Sequence, residues 1–440
     1  MSKGSATEIG LAIERAIARG DLPAGHRLPS VRSHSDELGV APGTVAAAYK
    51  QLAEAGLIIA GRGRQGTRVA PRSAPAVGAA TVYRRVATGQ VDAQHGSPDP
   101  AFLPDLSAAL AHGAAVAATS YGAPIVLDGL AEAASRQFRA DGVAADALMV
   151  TNGSMDAVER ILRAHALKPG DRVGVEDPGH IPVHQLVRSA GLVLVPLPVD
   201  DEGITPEGLA LALNDRLAAL VITPRAQNPT GAALSQARAE QLGALLVDRP
   251  EVVVVHDDHA GPVAGPEYHE VPVPGPHWVT VRSMGKSLGP DLRIALLAGD
   301  RDTMDRVSTG FGNGPGWVSH ILQGAVSHLL ADPATGILID RAATTYGHRR
   351  DRLIAALADR GVAARGRSGF NVWVPDVNEQ ATVDAARDAG LAILAGDPWR
   401  VRSGSAVRIT ASRLGDDQID AAAEAVASAN RPGTRRAASA

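Results

Sequence analysis

Val252-Val253-Val254-Val255-His256-Asp257-Asp258-His259 sets four valines ahead of two carboxylates flanked by imidazoles. A continuous apolar run of this length is a strand buried on both faces, the pattern of a parallel sheet covered by helices. Similar runs lie on either side of it, at Ala147–Thr151, Arg172–Glu176, Leu192–Leu197, Ala218–Thr223, Trp278–Ser283 and Arg293–Ala298, with helical segments between them. The alternation predicts βα units, and so an α/β fold with a large, mainly parallel sheet domain over residues 91–330. A long polar helix near Asp340–Arg360 and strands at Asn371–Val374 and Val407–Thr410 predict a smaller C-terminal α/β domain over 331–430. The polar residues 431–440 read as a disordered tail.

In an open α/β sheet, ligands bind at the carboxyl ends of the strands. Four segments carry chemistry there: Gln227-Asn228-Pro229-Thr230-Gly231, the acids after Val255, Ser283-Met284-Gly285-Lys286, and Arg293. A lysine amine condenses with an aldehyde to a Schiff base. A carboxylate keeps a pyridine nitrogen protonated, and an amide bonds a phenolic oxygen. Hydroxyls, an arginine and backbone N–H groups at a helix start hold a phosphate. Thr151-Asn152-Gly153-Ser154-Met155-Asp156, between a strand and a helix, suits that last task. Each segment alone has a plainer reading: a turn, a solvated loop, a surface lysine, a helix cap. Their order in one chain is what points to a single cofactor.

The first 70 residues read differently. Ile9, Ile13 and Ile17 mark one face of a helix over 8–19, with Gly20 as its stop. A second helix opens near Pro29 and Ser30 and ends at Gly39; a third starts at Pro42, buries Val45, Tyr49 and Leu52, and ends at Gly56. Two short strands then flank Ala60-Gly61-Arg62-Gly63-Arg64-Gln65-Gly66. A helix, a helix-turn-helix and a hairpin wing form a winged helix-turn-helix, which binds double-stranded DNA with the start of its second motif helix in the major groove. Pro42, Gly43 and Thr44 stand at that start, Arg32 on the helix before it, and Arg62 and Arg64 on the wing, where they suit phosphate or minor-groove contacts. Residues 71–90, rich in Ala, Pro and Gly, read as a linker.

Charge agrees in sign. Residues 1–72 hold 10 Lys/Arg and 6 Asp/Glu, a balance of +4, and the remainder holds 33 and 41, a balance of −8. The chain has no cysteine, which excludes disulfides, thiolate metal sites and a cysteine nucleophile. The histidines form no metal-ligand pattern, and no stretch reads as a signal peptide or membrane span, so a cytoplasmic location is expected.

Gly20-Asp21-Leu22-Pro23-Ala24-Gly25-His26-Arg27-Leu28-Pro29-Ser30-Val31-Arg32, Gly39-Val40-Ala41-Pro42-Gly43-Thr44-Val45 and Tyr49-Lys50-Gln51-Leu52 resemble the GntR-type winged helix, with Ala41 where that family usually has Ser or Thr. The later segments resemble the fold-type I aminotransferases, and the whole chain resembles the MocR subfamily of GntR regulators. That resemblance implies pyridoxal 5'-phosphate as cofactor, Lys286 as Schiff-base lysine, Asp257 as partner of the pyridine nitrogen and Asn228 near the phenolic oxygen. It implies Gly153, Ser154, Met155, Ser283 and Arg293 around the phosphate, His180 where a ring-stacking aromatic usually stands, and His259 where a tyrosine that bonds the phenolic oxygen is common. Tyr121 matches a tyrosine reaching a phosphate across a homodimer, and Arg408 the arginine that takes a carboxylate. The implied function is a DNA-binding transcriptional regulator responding to pyridoxal phosphate or a small amino compound. The alternatives are a working aminotransferase, since Ala226-Gln227-Asn228-Pro229 is closer to true enzymes than to many MocR regulators, and a scaffold that has lost its cofactor.

Overall fold

The computed structural model describes residues 6–19, 22, 25–54, 58–60, 66–69, 83, 86–118, 120–312 and 314–431. The N-terminal unit contains α1 (Ala6–Arg19), α2 (Val31–Leu38), α3 (Pro42–Glu54) and the antiparallel pair β1 (Ile58–Ala60) and β2 (Thr67–Val69). Ser30 caps α2 by accepting from the Ser33 N–H at 3.1 Å, and Gly39 ends it in the left-handed region at φ 65°. Ile9, Ile13, Leu28, Val45, Tyr49, Leu52, Ile58 and Val69 close one small core. Gly66 must be glycine: its φ is +65°, and a Cβ there would come within 2.7 Å of Arg27 Nε. Arg62 and Arg64, the expected end of the third helix at Gly56, most of the expected linker and residues 432–440 lie outside the described residues.

The next elements are β3 (Val91–Asp92), α4 (Ser107–Ala115), α5 (Asp128–Ala140), β4 (Leu148–Thr151), α6 (Ser154–Ala164), β5 (Arg172–Asp177), α7 (Ile181–Ser189), β6 (Val193–Asp200), β7 (Gly203–Ile204), α8 (Pro206–Asn214), β8 (Leu217–Ile222), α9 (Gln236–Leu246), β9 (Val253–Asp258), β10 (Trp278–Ser283), β11 (Ala295–Gly299), α10 (Arg301–Gly312) and α11 (His320–Ala331). Eight of these strands form one sheet in the order β4-β11-β10-β9-β8-β5-β6-β7. The run from β10 to β6 is parallel, while β11 runs antiparallel to both its neighbours. The four consecutive valines divide as a doubly buried strand requires: Val253 and Val255 join the core on one face, Val252 and Val254 the core on the other.

The chain closes with α12 (Pro333–Ala358), β12 (Asn371–Pro375), α13 (Glu379–Asp388), β13 (Leu391–Ala392), β14 (Leu394–Ala395), β15 (Ala406–Thr410) and α14 (Asp416–Ala429). A sheet of order β12-β15-β14 packs against α13 and α14 around its own core. Three differences from the sequence reading have physical causes. The long helix starts at Pro333, seven residues before Asp340, because Asp332 caps it through the Ala334 and Thr335 N–H groups and Pro333 suits its first position. The last large-domain strand starts at Ala295 because Arg293 sits in the left-handed region at φ 48°. Residues 91 and 92 pair with β13, so the start of the expected large domain belongs to the smaller sheet's core.

Candidate functional site

Strands β4, β5, β8, β9 and β10 end on the same side of the sheet, and every large-domain residue singled out above for the cofactor except Tyr121 lies on or just beyond one of these ends. Asp257 is buried near the end of β9, and its Oδ1 has no hydrogen-bond partner. Burial, then the neighbouring Glu176 and Asp258, push its carboxyl up to about 7, against a hydrogen bond from Ser154. Glu176, on β5, is also raised to about 7 by burial, although it accepts from the Thr223 N–H at 2.8 Å, the Thr223 hydroxyl at 2.9 Å and Gln227 Nε2 at 3.0 Å. Asp258 points the other way. Burial would raise it, but Arg225 and Arg282, both hydrogen-bonded to it, hold it at about 2. The adjacent acids thus do different work: Asp258 fastens β9 to its neighbours, and Asp257 presents an unsatisfied acceptor.

Lys286 follows β10 through a turn held by the Ser283 hydroxyl, which accepts from the Gly285 N–H at 3.3 Å. Its ammonium donates to the Gly96 carbonyl and lies 5.8 Å from the centroid of the Phe370 ring. Burial, with Arg408 and Arg293 nearby, lowers the amine to about 8, so a sizeable fraction is a free nucleophile at mildly basic pH.

Gly153 precedes α6 at φ +88°, and no side chain caps the helix there. A Cβ at 153 would stand 3.2 Å from the Arg293 guanidinium. The first-turn N–H groups of α6 and the Arg293 guanidinium therefore stand together, an electropositive pairing of the kind an anion suits. Met155 packs its partly buried side chain against the sheet core, which leaves its backbone N–H as the group available to a ligand.

His180, which begins α7, and His259, just past β9, lie parallel with centroids 6.2 Å apart at 10°. His180 Nδ1 meets Asn228 Nδ2 at 3.1 Å, and His259 Nε2 donates to the Ala226 carbonyl at 2.9 Å, leaving its Nδ1 as the free acceptor. Burial, then His259 and Lys286, hold His180 well below its usual value, and burial, then Lys286, lowers His259 to about 4, so both imidazoles are neutral. Asn228 Oδ1 accepts from Arg408 Nη1 at 2.8 Å. Arg408 is buried, stacks 4.4 Å from the Trp399 ring and donates to the Gln94 carbonyl. Tyr121 lies apart from this cluster, 93% exposed, with its ring edge against Trp317.

Sequence reading missed Glu176, the Gly96 and Gln94 carbonyls and Trp399. Glu176 is the last but one residue of a fully buried strand, which was a usable signal; backbone carbonyls leave none. In the N-terminal unit Arg32, Pro42 and Gly43 are exposed, Thr44 is half-buried, and nothing lies within 4 Å of a Cβ built on Gly43. Among the described residues no group of three His, Cys, Asp or Glu could hold a metal ion, and no helix is long and apolar enough to cross a membrane.

A family model for aminotransferase class I and II matches residues 87–426, and one for bacterial regulatory proteins of the gntR family matches residues 5–69. The chain is 38% identical over 421 residues to the vitamin B6 salvage pathway transcriptional repressor PtsJ of Salmonella typhimurium, covering 94% of this chain and 96% of that protein. It is 28% identical to the HTH-type pyridoxine biosynthesis transcriptional regulator PdxR of Corynebacterium glutamicum, over 80% and 79% of the two chains. An aspartate aminotransferase double mutant of Thermus thermophilus superimposes with a TM-score of 0.69 at 25% identity, over 78% of this chain and 92% of that one. A kynurenine aminotransferase of Pyrococcus horikoshii, solved with PMP, superimposes at 0.70 with 21% identity, over 78% and 91%. The N-terminal unit, the sheet with its lysine and acid, and these matches agree: the chain belongs to the MocR-type transcriptional regulators of the GntR family, a winged helix joined to an aminotransferase class I and II domain that takes pyridoxal phosphate.

Proposed function

We propose that this regulator binds DNA as a homodimer in the cytoplasm and that the state of its cofactor site alters how the paired winged helices sit on their operator. The observation that carries the reading is the unpartnered, buried Asp257 Oδ1 at one strand end, together with the buried Lys286 amine at the next. The residues fit the cofactor. Asp257 would hold the protonated pyridine nitrogen, His259 Nδ1 or Asn228 would meet the phenolic oxygen, His180 would lie against the ring, and Gly153, Ser154, Ser283 and Arg293 would hold the phosphate. Bound there, pyridoxal phosphate supplies an aldehyde for the lysine and an electron-withdrawing ring. The chain's own part is to make the Lys286 amine easier to deprotonate and aim it through Gly96, and to leave Asp257 Oδ1 open to a donor on the ligand.

On DNA, Pro42, Gly43 and Thr44 would enter the major groove, and Arg32, Arg62 and Arg64 would contact the backbone or minor groove. The names of the two relatives, both regulators of vitamin B6 genes, support pyridoxal phosphate itself as a signal, with an amino compound at Arg408 as a second one. A signal of either kind acts only through a difference in affinity between two states. The contact of Arg408 with Asn228 also favours a second reading, residual transamination, since a carboxylate-bearing amine would find both groups in place.

The test compares absorption spectra and DNA mobility shifts of the wild type and Lys286→Ala with added pyridoxal phosphate. The expected result is a visible band and a cofactor-dependent change in DNA affinity in the wild type only. Identical spectra for both proteins would remove the lysine's role, and turnover of an amino donor with a keto acid would favour the second reading.

A further inference from the structure

The hairpin between β14 and β15, residues 396–405, leaves the smaller sheet and is tied down on the large domain by one carboxylate. Asp177 ends β5 and is buried. Its Oδ1 accepts from the Val401 N–H at 2.8 Å and the Ser403 hydroxyl at 2.9 Å, and its Oδ2 from the Arg402 N–H at 2.7 Å and the Ser403 N–H at 3.1 Å. Three successive N–H groups turned on one anion form a backbone nest, and here the chain supplies the anion itself. Two further contacts seat the hairpin. The Gly179 N–H donates to the Trp399 carbonyl at 3.0 Å, and Val401 packs against the large domain's core. At its base the hairpin stays with the smaller domain: Glu379, which opens α13, accepts from the Ala406 N–H at 2.9 Å and pairs with Arg400 at 2.8 Å.

The hairpin carries Trp399. Its ring is buried, with the Arg408 guanidinium carbon 4.4 Å from its centroid. Among the described residues no ion pair holds that guanidinium; it donates to Asn228 Oδ1 and the Gln94 carbonyl, both neutral. The Trp399 face adds a restraint of another kind, since a planar cation stacked on an aromatic ring keeps its plane. The turn that seats Trp399 also opens the ring site, because Asp177-Pro178-Gly179-His180 is one continuous stretch. Gly179 must be glycine there: a Cβ would stand 2.2 Å from the Glu176 carbonyl oxygen. His180 and Arg408 are thus placed from one support.

We propose that Asp177 is the positioning residue of the carboxylate site. By holding residues 401–403 on the end of β5 it seats Trp399, and through Trp399 it sets Arg408 at a fixed span from the ring site at His180 and Lys286. A carboxylate-bearing amine that engages both ends must match that span. Asp177 therefore acts on the affinity for the carboxylate and not on the affinity for the cofactor. The inference rests on the reading above in which Arg408 receives an amino compound.

The experiment uses the full-length protein loaded with pyridoxal phosphate and titrates it calorimetrically with maleate, a dicarboxylate with no amine to react with the cofactor. Cofactor affinity is measured beside it by absorbance. Asp177→Asn keeps the side chain's shape but removes its charge and turns an NH2 on backbone donors. It should bind maleate about tenfold more weakly, the scale of a hydrogen bond to a charged group, and bind pyridoxal phosphate within about twofold of the wild type. Ser403→Ala removes one bond of the four and should cost about threefold in maleate affinity. Trp399→Leu should lose at least as much as Asp177→Asn, and the double variant no more than Trp399→Leu, because both changes act on one contact. Equal maleate affinity in Asp177→Asn and the wild type overturns the proposal. So does a cofactor affinity that falls as far as that for maleate, which marks a general loss of structure. Additive losses in the double variant overturn the route through Trp399. A wild type that binds no maleate defeats the reading of Arg408 itself, and the inference with it.

Discussion

Asp257 shows how a single residue ties cofactor binding to stability. Its carboxyl titrates at about 7 in the folded chain and near 3.8 when exposed, so folding holds a proton on it that the unfolded chain releases. A raised carboxyl contributes stability that is fully present below the unfolded value and lost as pH rises through the folded one. Glu176 acts in the same sense over the same window, and the two titrate as a pair. His184, His256 and His259, lowered to about 4, 3 and 4 by burial, act oppositely: they lose stability as pH falls below 6.5. The informative quantity is therefore a difference. In cofactor-free protein, Asp257→Asn should melt progressively higher relative to wild type as pH goes from 4 to 8, by a few degrees at the upper end. The same variant should bind pyridoxal phosphate at least tenfold more weakly, since an amide cannot pair with a pyridinium. Thermal melts with and without cofactor check both; parallel melting curves for the two proteins at every pH would contradict the burial of an unpaired carboxyl.

At the scale of elements, helix starts are where the sequence speaks most directly to function. The start of α6 offers N–H groups, a glycine at φ +88° and Arg293 at the distance of a Cβ. Gly153→Ala should cost more than tenfold in cofactor affinity, because the added methyl both strains the backbone and presses on the guanidinium; equilibrium titration by absorbance measures it. The start of α3 makes the opposite case. Ala41 precedes Pro42 and lacks a side-chain oxygen for the Gly43 or Thr44 N–H, so Ala41→Ser should stabilise the winged helix by about 1 kcal/mol, read by urea unfolding of the full chain. These features were legible because caps, glycines and apolar runs are local: the valines of β9, the turn before Lys286 and the motif glycines all announced themselves. What was not legible is non-local. Nothing in Arg293–Ala298 says that its strand runs antiparallel, because side-chain alternation has no direction. The Gly96 carbonyl reaches Lys286 across 190 residues, and the Gln94 carbonyl reaches Arg408 across still more. Such pairings depend on how the residues after β3, which pairs with β13 in a two-stranded sheet of its own, run beside the strand ends.

The whole molecule raises a question about chain number that a single site can answer. Tyr121 is almost fully exposed, and apolar Leu110, Val116 and Ile321 are exposed on or beside α4 and α11, whose backbones meet closely at Gly113. Such residues would suit the association surface of the proposed homodimer. If a twofold dimer forms here and Tyr121 serves the partner's phosphate site, each site combines Lys286 of one chain with Tyr121 of the other. Lys286→Ala and Tyr121→Ala then carry complementary defects. Neither homodimer has an intact site, but each mixed dimer has one: the lysine of the Tyr121→Ala chain beside the tyrosine of the Lys286→Ala chain. Random reassembly of equal amounts makes half the dimers mixed, so about a quarter of all sites should recover wild-type cofactor affinity, as two identical halves related by one axis require. Co-refolding the two variants and titrating with pyridoxal phosphate gives the count directly. Recovery of a tight-binding fraction places Tyr121 across the interface. A titration equal to the sum of the separate variants confines the site to one chain.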